Sequence, residues 1–75
     1  MLSAETLHQR GLEASNAGRH TAARRLLTRA AERAGDEPDL LARIEGSLAY
    51  VEAELGRPQE ALALCEQALA RPGGS

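Results

Sequence analysis

GRHTAARRLLTRAAER at residues 18–33 and GRPQEALALCEQALAR at residues 56–71 are one pattern written twice, 38 residues apart. Gly18, Arg19, Ala23, Leu26, Ala30 and Arg33 return as Gly56, Arg57, Ala61, Leu64, Ala68 and Arg71. The steps of five, three and four residues from the glycine through the small and apolar positions keep one face of a helix turned toward a partner. A period of roughly 20 to 50 residues marks stacked supersecondary units, each too small to bury its apolar face alone, and such stacks work by presenting a surface to something else.

Composition sets the terms for the rest. In 75 residues, 43% are hydrophobic, yet alanine supplies much of that fraction and there is no Phe, no Trp and one Tyr. Bulk in the core must therefore come mostly from leucine, and a domain this small is marginal alone or is stabilised by a partner. Ala, Leu, Arg and Glu are strong helix formers, while Gly and Pro fall in clusters between the apolar stripes, so the chain is expected to be all-α. Ser3 to Ala17 reads as the first helix, with Leu7, Gly11, Leu12 and Ala14 on one face. His20 to Ala34 reads as the second, turning Ala23, Leu26, Leu27, Ala30, Ala31 and Ala34 inward and Arg25, Arg29 and Arg33 outward. Asp36-Glu37-Pro38-Asp39 opens a third helix, because acids suit the positive end of the helix dipole and proline is tolerated in the first turn. Its stripe is Leu41, Ile44, Leu48, Val51 and Leu55, and the fourth helix, from Pro58 to Ala70, carries Ala61, Leu62, Leu64, Cys65, Ala68 and Leu69. Four helices in two antiparallel hairpins follow, with a repeat domain over residues 1–71 (repeat one about 4–37, repeat two about 42–71) and a flexible tail over 72–75.

Charge and chemistry narrow the function classes. The net charge of −2 hides five arginines against one glutamate over residues 18–34 and eight acids against two arginines over residues 36–66. Those surfaces could complement each other within the fold or between copies, or simply be solvated. Arg25, Arg29 and Arg33 form a basic stripe, but an acidic chain without lysine or base-stacking aromatics does not read as a nucleic-acid binder. No apolar run is long enough for a membrane span, and the N-terminus lacks the layout of a signal peptide. With a single cysteine, the expectation is a cytoplasmic protein, and its arginine-only, alanine-rich usage resembles a bacterial coding bias. His8 and His20 have no metal-ligand spacing around them, no phosphate loop or paired catalytic carboxylates occur, and no cofactor, metal or catalytic residue is expected. Cys65, on the apolar stripe with Glu66 next to it, is expected to be a buried structural thiol rather than a nucleophile.

Helix, glycine turn and helix, with an alanine five residues after the glycine and another seven beyond it, resembles the tetratricopeptide repeat. Leu7, Gly11, Gly18, Ala23, Leu27 and Ala30 fall on that family's large, small, turn, small, large and small positions in repeat one, and Leu48, Ala49, Gly56, Ala61, Cys65 and Ala68 in repeat two. Ala14, Leu27, Glu52 and Cys65 stand where the family places aromatics, and the period is 38 rather than the family's usual 34. The phrases LHQRGLEASNAGR and GSLAYVEAELG are also similar to amino-terminal repeats of actinobacterial proteins that carry a caspase-like peptidase domain much further along; no peptidase residue is present here. The family resemblance implies a short right-handed solenoid and a non-enzymatic protein-protein interaction module. It would line a groove with His8, Leu12, Ser15 and Asn16 from repeat one and Arg43, Ser47, Tyr50 and Glu54 from repeat two. The ligand implied is a peptide or a helical partner surface; the alternatives are self-assembly or a regulatory fragment of a larger peptidase-like protein. Self-association, most simply as a dimer or by stacking on a further repeat, is expected through Leu62, Leu64, Cys65 and Leu69, which cover more of the fourth helix than one neighbouring hairpin can bury.

Overall fold

The computed structural model describes residues 2–70, and all regular structure among them is helical. The elements are α1 (Ala4–Asn16), α2 (His20–Arg33), α3 (Pro38–Glu54) and α4 (Pro58–Ala70). α1 pairs with α2 and α3 with α4 as hairpins, and α2 packs on α3 to join the two. The flexible tail expected at residues 72–75, and Arg71 as the last member of the repeat, lie outside the described residues.

Local chemistry fixes each boundary. Ser3 caps α1, its Oγ accepting the backbone N–H of Thr6 at 3.1 Å, and Pro38 begins α3 where its missing N–H costs nothing. The two interhelical turns are copies of one another. Gly18 and Gly56 take φ of +80° and +78°, the left-handed region in which a side chain is strained. Gly18 N–H then donates to Ser15 O and Arg19 N–H to Ala14 O; Gly56 N–H donates to Ala53 O and Arg57 N–H to Glu52 O. This is the Schellman closure, and it satisfies the orphan carbonyls of α1 and α3. The recurrence of Gly-Arg at a 38-residue interval is thus a recurrence of turn geometry.

The core is a seam along α2 and α3. One end gathers Ala4 and Leu7 of α1, Ala30 and Ala34, and Leu40 and Ile44 of α3. The other gathers Ala23 and Leu27 of α2 with Leu48 and Val51 of α3, flanked by Ala14, Leu55 and Leu64. Leu7, Leu27, Ile44 and Val51 are the largest fully buried side chains, each contributing about 1.5–3 kcal/mol against exposure. Gly11 permits the close approach of α1 to α2: a Cβ there would lie 2.6 Å from Leu27 Cδ2.

Three details differ from the pattern read in the sequence. Leu40, absent from the expected stripe of α3, is buried, while Leu41 and Leu55 are only half-buried, because α3 meets α2 along its 40-44-48-51 edge. Glu45 and Glu52 are buried acids that an apolar stripe does not anticipate. α4 contains no buried residue at all.

Candidate functional site

A polar contact between α1 and α3 brings their outer faces together. His8 Nε2 lies 2.9 Å from Ser47 Oγ, and Ser47 Oγ lies 3.2 Å from the carbonyl of Arg43 one turn earlier. Ser47 gives its one proton to that carbonyl, so the ring N–H of His8 is the donor to Ser47. Partial burial, reinforced by the Arg43 guanidinium, lowers the His8 pKa from its ordinary value, which keeps the imidazole neutral near pH 7.

From this contact the face extends by helical spacing. Leu12 and Ser15 follow His8 on α1, and Tyr50 and Glu54 follow Ser47 on α3, while Arg43 precedes it. His8, Leu12, Ser15 and Ser47 are half-buried; Asn16, Arg43, Tyr50 and Glu54 are exposed. Tyr50, at 57% exposure, is the only aromatic of the chain and stands largely in solvent. The structure brings His8 and Ser47 into direct contact; the other six residues continue the same two helical faces. The result is a mixed surface carrying one neutral imidazole, one arginine, one acid, a leucine and a phenol. An open concavity of about 390 Å³ lined by Arg10, Glu13, Ala14, Ala17, Arg19, Ala22 and Leu26 lies between α1 and α2 and shares no residue with this face.

A second polar centre sits at the end of α3. The Glu52 carboxylate, 7% exposed, accepts Arg24 Nε from α2 on Oε2 at 3.1 Å. Its Oε1 faces Arg57 Nε at 3.1 Å as an ion pair whose geometry falls short of a hydrogen bond. Arg57 also approaches Glu60 at 3.5 Å. Glu52 therefore joins α2, α3 and the second turn, so one of the possibilities left open by the charge segregation, pairing within the fold, holds at this position. The signal was present in the sequence as an acid replacing Ala14 at the matching repeat position, opposite the invariantly repeated Gly-Arg. Arg25, Arg29 and Arg33 remain exposed on α2.

The residues expected for self-association divide. Leu62 (60%) and Leu69 (87%) are exposed. Cys65 is exposed as well, correcting the expectation of a buried thiol. Its repeat counterpart Leu27 is buried because α3 covers it, and no described element covers α4 in the same way. Leu64 is half-buried and packs against the Leu27–Val51 cluster, so it serves the hairpin and drops out of the outer stripe.

No described helix is long and apolar enough to cross a membrane. Among the described residues no three His, Cys, Asp or Glu side chains are grouped to hold a metal ion. No family model, no curated protein and no solved structure matches the chain.

Proposed function

We propose that this chain is a non-enzymatic protein-interaction module of tetratricopeptide type, taking a peptide or a helical surface on the face shared by α1 and α3. The His8–Ser47 contact supports this most directly, because it aligns the two helical faces side by side with Tyr50 exposed beside them. An exposed aromatic with an apolar body and a polar tip, on the same helical face as Arg43 and Glu54, is the kind of residue that dominates binding energy at interfaces. The test is capture of partners by the immobilised chain, comparing wild type with Tyr50→Ala and with Arg25→Glu on the outer face of α2. Tyr50→Ala weakens capture by about 30-fold, the equivalent of a 2 kcal/mol hot spot, and Arg25→Glu leaves it unchanged. Equal capture by all three proteins, each with wild-type circular dichroism, removes the groove from consideration.

Assembly through α4 is the second reading, favoured by the exposure of Leu62, Cys65 and Leu69 along one stripe. Regulation of a larger peptidase-like protein remains the third, and whether the native gene continues past Ser75 decides it.

A further inference from the structure

The outer face of α2 carries charge that the groove does not use and the fold uses only once. Arg24, Arg25, Thr28 and Arg29 form two adjacent pairs, each pair one helical turn apart, and line an open concavity of about 380 Å³. All four are exposed. No carboxylate lines this concavity, whereas those along α1 and between α1 and α2 both include Glu13 beside Arg10. Glu32, the one acid of α2, is exposed a turn beyond Thr28 and stands outside it.

Repetition does not explain these residues. Shifted by 38 they become Leu62, Ala63, Glu66 and Gln67 of α4, with no cation among them, so packing of a hairpin does not call for them. Nor are the charges spent internally. Arg24 gives its Nε to Glu52 Oε2 at 3.1 Å, which braces the side chain while its terminal nitrogens make no hydrogen bond among the described residues. Arg25 and Arg29 make no ion pair among the described residues, and they repel each other at i, i+4 spacing. The cradle thus holds one braced guanidinium, two uncompensated ones and a hydroxyl.

Those donors select among anions. The two oxygens of a carboxylate are engaged by a single arginine fork, which leaves the other arginines without a partner. A phosphoryl group brings three acceptor oxygens and a charge of about −1.5 to −2 near pH 7, matching the two uncompensated guanidinium groups. A continuous polyanion is served less well. No large apolar or aromatic side chain is exposed on α2 to stack a base or enter a lipid surface, and the chain is acidic overall without a lysine.

We propose that Arg24, Arg25, Thr28 and Arg29 bind a phosphorylated side chain of a partner protein. The site shares no residue with the face of α1 and α3 and is independent of it.

The test is a titration of the full isotope-labelled chain, followed by NMR, with three short glycine-flanked peptides centred on phosphoserine, glutamate or serine. The phosphoserine peptide shifts the side-chain Nε–H signals of Arg25 and Arg29 and the amide of Thr28, and binds at least about tenfold tighter than the glutamate peptide. Arg25→Gln and Arg29→Gln each weaken it about fivefold, within reach of an exposed charged pair. Arg33→Gln, on the same stripe but outside the concavity, changes it less than about twofold. Tyr50→Ala leaves it unchanged, and Arg25→Glu abolishes it while sparing capture through the groove, so the two readings fail separately. Equal binding of the glutamate and phosphoserine peptides overturns the proposal. So does a loss on Arg33→Gln as large as on Arg25→Gln, which marks a diffuse field and no site. Tighter saturation of the same signals by a mixed-sequence single-stranded RNA, or by vesicles of anionic phospholipid, overturns it in favour of that polyanion. Absence of any shift at millimolar phosphoserine peptide overturns it outright.

Discussion

Gly11 and Gly46 are both helical glycines, and replacing each with alanine separates helix propensity from packing. Alanine is favoured over glycine in a helix interior by about 0.8–1.0 kcal/mol. At Gly46, exposed on α3 with nothing within 4 Å of an added Cβ, that gain is realised in full. At Gly11 the same Cβ lies 2.6 Å from Leu27 Cδ2 and 2.7 Å from Leu27 Cγ, distances that real contacts do not sustain. Leu27 has nowhere to retreat, because it is completely buried between α1 and α3. Overpacking of this kind costs about 1–3 kcal/mol, so Gly11→Ala should be destabilised by about 0–2 kcal/mol net and should lie about 1–3 kcal/mol below Gly46→Ala. With about 4–8 °C of melting temperature per kcal/mol for a domain of this size, thermal denaturation followed by circular dichroism at 222 nm resolves the pair easily. Leu27→Ala, by opening the space, should reverse the sign of the Gly11→Ala effect in a double-mutant cycle. A Gly11→Ala protein that gains as much stability as Gly46→Ala would show that α1 and α2 do not approach as closely as this packing requires.

Ala23→Leu should destabilise by about 1–3 kcal/mol, because Ala23 is completely buried, whereas Ala61→Leu should cost less than half as much, its site being only half-buried; urea melts of the two variants measure the ratio. The folded-state pKa of His8 is depressed, so unfolding takes up a proton and stability from this group is present in full above its unfolded value of 6.5. It is lost as pH falls through 6.5 toward the lower folded value and then levels off; His8→Gln should flatten the stability profile in that window. Arg24→Met and Arg57→Met should each be mild, since the other cation still faces Glu52 and both arginines are 44% exposed, but the double variant should lose more than the sum and recover on adding Glu52→Gln.

Repeat spacing made the hairpins legible because turn geometry and helix periodicity are local. Gly18 and Gly56 announce left-handed turns, Pro38 and Pro58 announce helix starts, and the stripes on α2 and α3 locate most of the buried seam. Burial at a given repeat position was less legible, because it depends on what lies on the far side. Cys65 and Leu27 occupy the same place in the pattern and differ only in having a neighbour. The eight groove residues were named from the family resemblance alone; of them the structure joins His8 to Ser47, and no local rule pairs residues 39 apart in sequence. Glu52 escaped for a similar reason, since the cations that make its burial tolerable come from α2 and from beyond the second turn.

The absence of any buried side chain on α4 bears on how this protein comes apart. An element that contributes only half-buried contacts can detach while Leu7, Leu27, Ile44 and Val51 remain packed, so its amide protons should exchange by a sub-global opening well below the energy of complete unfolding. Its N-terminal end is the exception, because Arg57, directly ahead of Pro58, is paired with Glu52. Opening would therefore proceed from the far end of the helix toward Gly56, like a flap on a fixed hinge. A ligand that closes the flap spends part of its interaction energy on ordering it, which lowers affinity relative to contact area while leaving the residues around Leu62 and Leu69 free to adapt to the surface they meet.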